Sequence, residues 1–255
     1  MVQLLPFTSF TARVLGKKIK LISQVTCPTA PLKISGTGNP PFLKTAPAPL
    51  NSQLLDVVAG LALCAMMVLH QENLSPFAWI IFEGGTTMMP LMAVNWLNDW
   101  PIGLKLNTEL SKFCSQTFAV IISSWNYWLH GVLGVAFHGL PYIGLFGAST
   151  LSAFAVDVLQ VATLHLHMCY IIATTVVYGL RLSTSTLWNL FQGKCYNKLR
   201  NRTDKWPYEM DHLVLGTIFF TLVTFLMPTV LIYYVFFFCI DNILHVSFST
   251  FDRYC

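Results

Sequence analysis

A run of 27 residues, Leu213–Cys239, carries no charged side chain. As a helix it would be roughly 40 Å long, enough to cross the hydrocarbon core of a bilayer with some tilt. The stretch just before it is the reverse, with Arg181, Lys194, Lys198, Arg200, Arg202 and Lys205 set against Asp204, Glu209 and Asp211. Basic residues collect at the cytoplasmic mouth of a span, so this juxtaposition predicts a membrane helix and a cytosolic loop over 181–212. Trp206 and Tyr208 suit the near interface, and Tyr233, Tyr234 and Phe236–Phe238 the far one. Hydrophobic residues make up 55% of the chain and charged residues 10%, against about 25% charged in an ordinary soluble domain. A soluble fold of 255 residues could not hide that much apolar surface. The expected fold class is therefore all-α, a polytopic helical membrane protein.

The spans are expected near 54–70, 77–97, 113–135, 151–180 and 213–239, within a membrane domain over 51–240. Glu83-Gly84-Gly85 and Pro90 interrupt the second, and Asp56 lies near the start of the first. Residues 136–150 are glycine-rich and include Pro141, which suits a broken or re-entrant segment. With the N-terminus inside, residues 1–53, 98–112 and 181–212 are cytoplasmic and hold 6, 2 and 6 of the 15 basic residues. Only Arg253, in a short luminal tail over 241–255, falls on the other side, as the positive-inside bias requires of five crossings. Residues 1–50 have six basic residues, no acid, and prolines unsuited to a packed helix. They read as a disordered cytosolic tail near anionic lipid rather than as a transit peptide. Between spans two and three, Leu106, Leu110 and Phe113 share a helical face opposite Lys105, Glu109 and Lys112, which predicts a helix in the interface.

Ionisable groups inside a span usually face protein or water. Asp157, Gln160, Thr163, His167, Thr174 and Tyr178 form one stripe of the fourth span, with His165 well away from it. Asp157, Gln160 and His167 read first as a polar seam against a neighbouring helix. The sharper alternative makes Asp157 and His167 a relay within the bilayer. His165-x-His167 is no metal pair, because i and i+2 point to different faces. The seven cysteines are scattered without a C-x-x-C pair, so neither a zinc site nor a disulfide framework is expected. No Walker loop, G-x-G-x-x-G, G-x-S-x-G or zincin motif is present, and no cofactor or nucleic-acid partner is expected. The longest cytosolic loop, 32 residues, is far too short for a nucleotide-sugar domain, which takes about 100–150.

Three blocks carry a family resemblance. They are Phe191-x-Gly193-Lys194-x-x-Asn197-x-Leu199-Arg200-x-Arg202-x-Asp204, then Asp211-x-Leu213-x-Leu215-Gly216-Thr217-x-x-Phe220-Thr221, then Phe225-Leu226-x-Pro228-Thr229-x-x-x-Tyr233-Tyr234. Together they resemble the Q subunit of the glycosylphosphatidylinositol N-acetylglucosaminyltransferase complex. Gly103-Leu-Lys-Leu-Asn-x-Glu109-Leu, Asn51-x-x-x-x-Asp56-x-x-x-Gly60 and Thr163-Leu-His165 are similar to further stretches of it. The resemblance implies a non-catalytic subunit in the endoplasmic reticulum membrane. Its implied partners are a catalytic glycosyltransferase subunit, other membrane subunits and phosphatidylinositol. The reaction implied is transfer of N-acetylglucosamine from UDP-GlcNAc to phosphatidylinositol, the first step of anchor synthesis. The alternative is a lipid-modifying enzyme or carrier that uses Asp157 and His167.

Leu187, Trp188, Leu190 and Phe191 have the spacing of one apolar face, with Gly193 placed to end a helix and Ser185 or Thr186 to cap its start. A short helix anchored on the membrane by Trp188 is expected, presenting Lys194, Lys198, Arg200 and Arg202. Those four charges either only hold the loop inside or contact a headgroup or acidic partner. Both readings stand on the sequence.

Overall fold

The computed structural model describes residues 9–26, 50–99, 107–197, 201–205 and 208–254. Seven α-helices are found there: α1 (Phe10–Thr26), α2 (Leu50–Leu69), α3 (Gln71–Glu83), α4 (Met89–Asn98), α5 (Thr108–Ile143), α6 (Ala148–Phe191) and α7 (Met210–Tyr254). A two-stranded antiparallel ribbon, β1 (Lys194–Asn197) and β2 (Arg202–Lys205), joins α6 to α7. The protein is thus helical, as expected, apart from that ribbon. By length and composition α2, α6 and α7 can each cross a membrane, over Ser52–Leu69, Ala148–Phe191 and Met210–Phe251.

The count of five spans does not follow. The segment 77–97 is divided between α3 and α4 by a π-helical turn, Gly84–Met88. The segment 113–135 lies inside the 36-residue α5, where Ser115, Gln116, Ser123, Ser124, Asn126 and His130 interrupt its apolar run. The π turn has a local cause. Gly84-Gly85 lowers helix propensity, and Pro90 offers no N–H to the carbonyl of Thr86 one turn back.

Two compact units are formed. One comprises Glu83–Trp128 and Thr163–Val246; the other comprises Leu5–Phe82, Leu129–Ala162 and Ser247–Cys255. The core of the first is Val94 and Leu97 of α4, Phe118 and Ile122 of α5, Cys169 and Ala173 of α6, and Tyr233 and Phe237 of α7. Those residues recur every three or four positions, so each helix turns one face inward. Phe118 packs its ring 5.8 Å from Tyr233 and 4.5 Å from Phe237. The buried Tyr233 hydroxyl meets Ser111 Oγ at 3.1 Å and donates to the Ser111 carbonyl at 3.2 Å, so its polar end is satisfied.

In the second unit Phe10 and Val14 of α1 are buried with Ala153, against Val156 and Phe251. The segment read as a disordered tail therefore contains a docked helix over 10–26. The tail reading counted charge and proline but not the Phe10/Val14 spacing. Residues 27–49 lie outside the described ones, as do Pro101–Leu106 of the expected interfacial helix. α5 continues through Pro141 to Ile143, and the chain reverses in a 3₁₀ turn, Gly144–Phe146, and at Gly147 with φ +110°. The break expected over 136–150 is thus confined to four residues.

Beside that turn runs α2. A Cβ on Gly60 would overlap the Gly144 carbonyl oxygen and the Gly147 backbone. Asp56, one turn earlier, accepts from Ser149 N and Ser149 Oγ, both at 2.9 Å. The start of α2 thus lies beside the α5–α6 turn.

Candidate functional site

Carboxylates within an apolar chain mark where a site could be, and Asp56, Asp157 and Asp241 are each engaged by protein groups. Asp157 of α6 accepts from the backbone N–H of Phe10 at 2.7 Å and of Thr11 at 3.0 Å. The hydroxyls of Ser9 and Thr11 also donate to it. The first amides of a helix have no partner within that helix, and the helix dipole favours an anion there. Asp157 is thus a cap supplied to α1 by another helix. Asp56 does the same at the start of α6, through Ser149, and also holds the Lys18 ammonium at 2.6 Å. Lys18 further donates to Phe146 O at 2.6 Å and Thr150 Oγ1 at 3.0 Å. The two aspartates hold α1 at its first turn and, through Lys18, at its middle.

His167 is buried, and its Nδ1 lies 2.7 Å from Asp241 Oδ1 of α7. A carboxylate accepts only, so Nδ1 carries the hydrogen. Nε2 is buried without a hydrogen-bond partner among the described residues. An Asp–His pair of this kind orients an imidazole. Asp157 is ten residues away on the same helix and has other partners, so the structure does not join Asp157 and His167 into one relay. Gln160, half-buried, lies between them in sequence.

His165, set apart from the stripe in sequence, is fully buried and donates Nε2–H to the Thr86 carbonyl at 3.1 Å. The sequence reading also missed Asp241, which it assigned to a luminal tail. A signal existed, since no Gly or Pro follows Pro228 to stop α7.

The basic loop is built differently from expectation. Leu187–Phe191 are the last turns of α6, not a separate capped helix, because Thr186 Oγ1 donates to Ser183 O within an unbroken helix. Gly193 does end it, with φ +63° and its N–H on Leu190 O at 3.0 Å. Lys194 pairs across the ribbon with Lys205, and Arg202 with Asn197. Side chains alternate along a strand, so Lys194 and Lys205 share one face and Arg202 takes the other. Lys194 Nζ donates to Gln192 Oε1 at 2.7 Å. Lys198 and Arg200 lie outside the described residues.

Two of the blocks quoted from the sequence meet in the first unit. Phe220, Thr221, Thr224, Phe225 and Pro228 of α7, with Asn107, line an open, mainly apolar groove of about 400 Å³. That is within the range of small-ligand pockets, about 300–1,000 Å³. Pro228 gives no N–H to the Thr224 carbonyl one turn back.

A family model described as "N-acetylglucosaminyl transferase component (Gpi1)" matches residues 42–253. The chain is 35% identical over 187 residues to the Schizosaccharomyces pombe N-acetylglucosaminyl-phosphatidylinositol biosynthetic protein gpi1, covering 70% of this chain and 28% of that protein. It is 33% identical over 216 residues to the mouse phosphatidylinositol N-acetylglucosaminyltransferase subunit Q, covering 78% of this chain and 35% of the other. With the human subunit Q the identity is 32% over 214 residues, 78% of this chain and 27% of that one. The chain spans about a third or less of the length of these relatives. No solved structure matches it.

Proposed function

Because the chain belongs to the Gpi1 family of N-acetylglucosaminyl transferase components, we propose that it is a membrane subunit of the complex that transfers N-acetylglucosamine from UDP-GlcNAc to phosphatidylinositol. Its work is assembly and stabilisation of that complex, and the transferase chemistry belongs to a separate catalytic subunit. The observation that carries this is the engagement of the intramembrane acids. Asp157 caps α1, Asp56 caps α6 and binds Lys18, and Asp241 holds His167. Carboxylates committed to joining helices suit a scaffold.

The relay of Asp157 and His167 is the weaker reading, because each group has a different partner. Location in the endoplasmic reticulum membrane goes with this proposal, with the ribbon and its flanks in the cytosol, where Lys194, Lys198, Arg200, Arg202 and Lys205 meet headgroups or an acidic partner. The start of α2 and the α5–α6 turn then share the other side. Phosphatidylinositol is a fitting occupant of the groove at Phe220 and Phe225, an acyl chain on the rings and a hydroxyl toward the Thr224 carbonyl.

Expressing the tagged chain in cells deficient in their own subunit tests the proposal. Recovery of the glycosyltransferase in mild detergent and restored GlcNAc-phosphatidylinositol synthesis are expected. Transport or lipid modification by the purified chain alone would overturn it. A glycan on Asn201 of the Asn201-Arg-Thr203 sequon would overturn the orientation.

A further inference from the structure

One face of α6 carries both the seam and an uncovered continuation of it. Asp157, Thr163 and His167 are spaced along that face in the first half of the helix, and Thr163 and His167 are buried. The same face continues through Thr174 to Tyr178, Arg181, Ser185 and Trp188, which fall within roughly 80° of one another at 100° per residue. From Tyr178 onward it is exposed: Tyr178 by 67% and Trp188 by 56%, with Arg181 and Ser185 also exposed. The opposite side of the helix is the one that meets α7, where Leu190 packs on Gly216 and the Phe191 ring lies 5.5 Å from Phe220. Among the described residues Arg181 has no hydrogen-bond or ion-pair partner.

From this we infer that Tyr178, Arg181 and Trp188 form a docking face for a helix of another subunit that presents a carboxylate to Arg181. This rests on the assembly role proposed above. The residue types are those that dominate protein–protein binding energy. The charge names the chemistry of the partner, since a guanidinium in an apolar helix seeks a carboxylate or phosphate and pairs with it through two parallel bonds. The alternative is an interfacial belt that anchors the helix in lipid. A belt gathers Trp and Tyr at one depth around a helix. Tyr178 and Trp188 are instead ten residues apart, about 15 Å along the axis, on a single face. That arrangement suits a partner lying lengthwise.

The test uses the full chain within its complex, isolated in mild detergent. Arg181→Gln and Trp188→Ala should each lower recovery of the catalytic subunit by about tenfold, the effect of losing a binding hot spot. Arg181→Lys should recover part of it, and Val176→Ala, on the opposite face, none of the loss. The thermal stability of the isolated chain should change little, because these side chains are largely exposed in it. A photoreactive residue at position 178 should crosslink to a partner segment containing Asp or Glu. Wild-type recovery with both variants, or crosslinks to lipid alone, would overturn the inference and leave the assembly role intact. If the wild-type chain recovered no catalytic subunit, the assembly role itself would fail.

Discussion

His165 Nε2 stands 3.1 Å from the carbonyl oxygen of Thr86, the oxygen that Pro90 cannot reach with an N–H. A break in one helix is thus met by a side chain from another, and the buried His165 has a structural partner. Replacing His165 by Phe should destabilise the chain by about 2 kcal/mol, since it removes a buried hydrogen bond. In a Pro90→Ala background the loss should be smaller, because the alanine restores an intrahelical donor. Equal losses in the two backgrounds, read from thermal unfolding in detergent, would refute this coupling.

Asp157 should govern α1. Asp157→Leu removes the acceptor of two backbone amides and two hydroxyls, a loss of about 2 kcal/mol or more. Amide exchange over residues 10–20 should accelerate while exchange in the Tyr233–Phe237 core stays slow. If α1 remained protected, Phe10 and Val14 would suffice to hold it.

Gly60 is tightly constrained by backbone. Substitution by Val puts atoms inside the backbone of the α5–α6 turn, and overpacking against a main chain costs about 3 kcal/mol or more. Folded yield in detergent should fall sharply. Gly84→Ala, where nothing lies near, should leave yield unchanged.

The contact itself can be trapped. Asp56→Cys with Ser149→Cys should form a disulfide under mild oxidation, visible as a reduction-sensitive mobility shift. Without it, the start of α2 would not lie beside the turn.

His167 and Asp241 should be unequal partners. His167→Ala leaves a largely buried carboxylate unpaired, a loss of about 3–5 kcal/mol. Asp241→Asn keeps an acceptor and should cost less. Equal effects in thermal unfolding would mean that the pair does not act as drawn.

What could be read from the residues was the helical membrane class and the helix stop at Gly193. The family was legible from the blocks over 191–234. Their charged, glycine and proline positions are fixed by sequence alone. What escaped was whatever depends on groups far apart in the chain. Lys18 and Asp56 look like one charge in a tail and one in a span until they meet at 2.6 Å. Asp241 looked like a tail residue because the charge-free run ends before it, although nothing there stops a helix. Charge counting treats every lysine as solvated, whereas Lys18 is paired with Asp56. The ribbon was missed because its residues alternate too briefly, over four positions a strand, to stand out.

The clamp on α1 also orders the making of the protein. Phe10 leaves the ribosome before Asp157, and the carboxylate that receives its amide lies 147 residues downstream. At roughly 5–20 residues per second, that gap is on the order of ten seconds, far longer than a helix needs to form. During this interval α1 exists without its anchor, its amphipathic face open to chaperones and lipid. Its docking is therefore a late event in biogenesis, and a seated α1 marks a chain whose α6 has already been made.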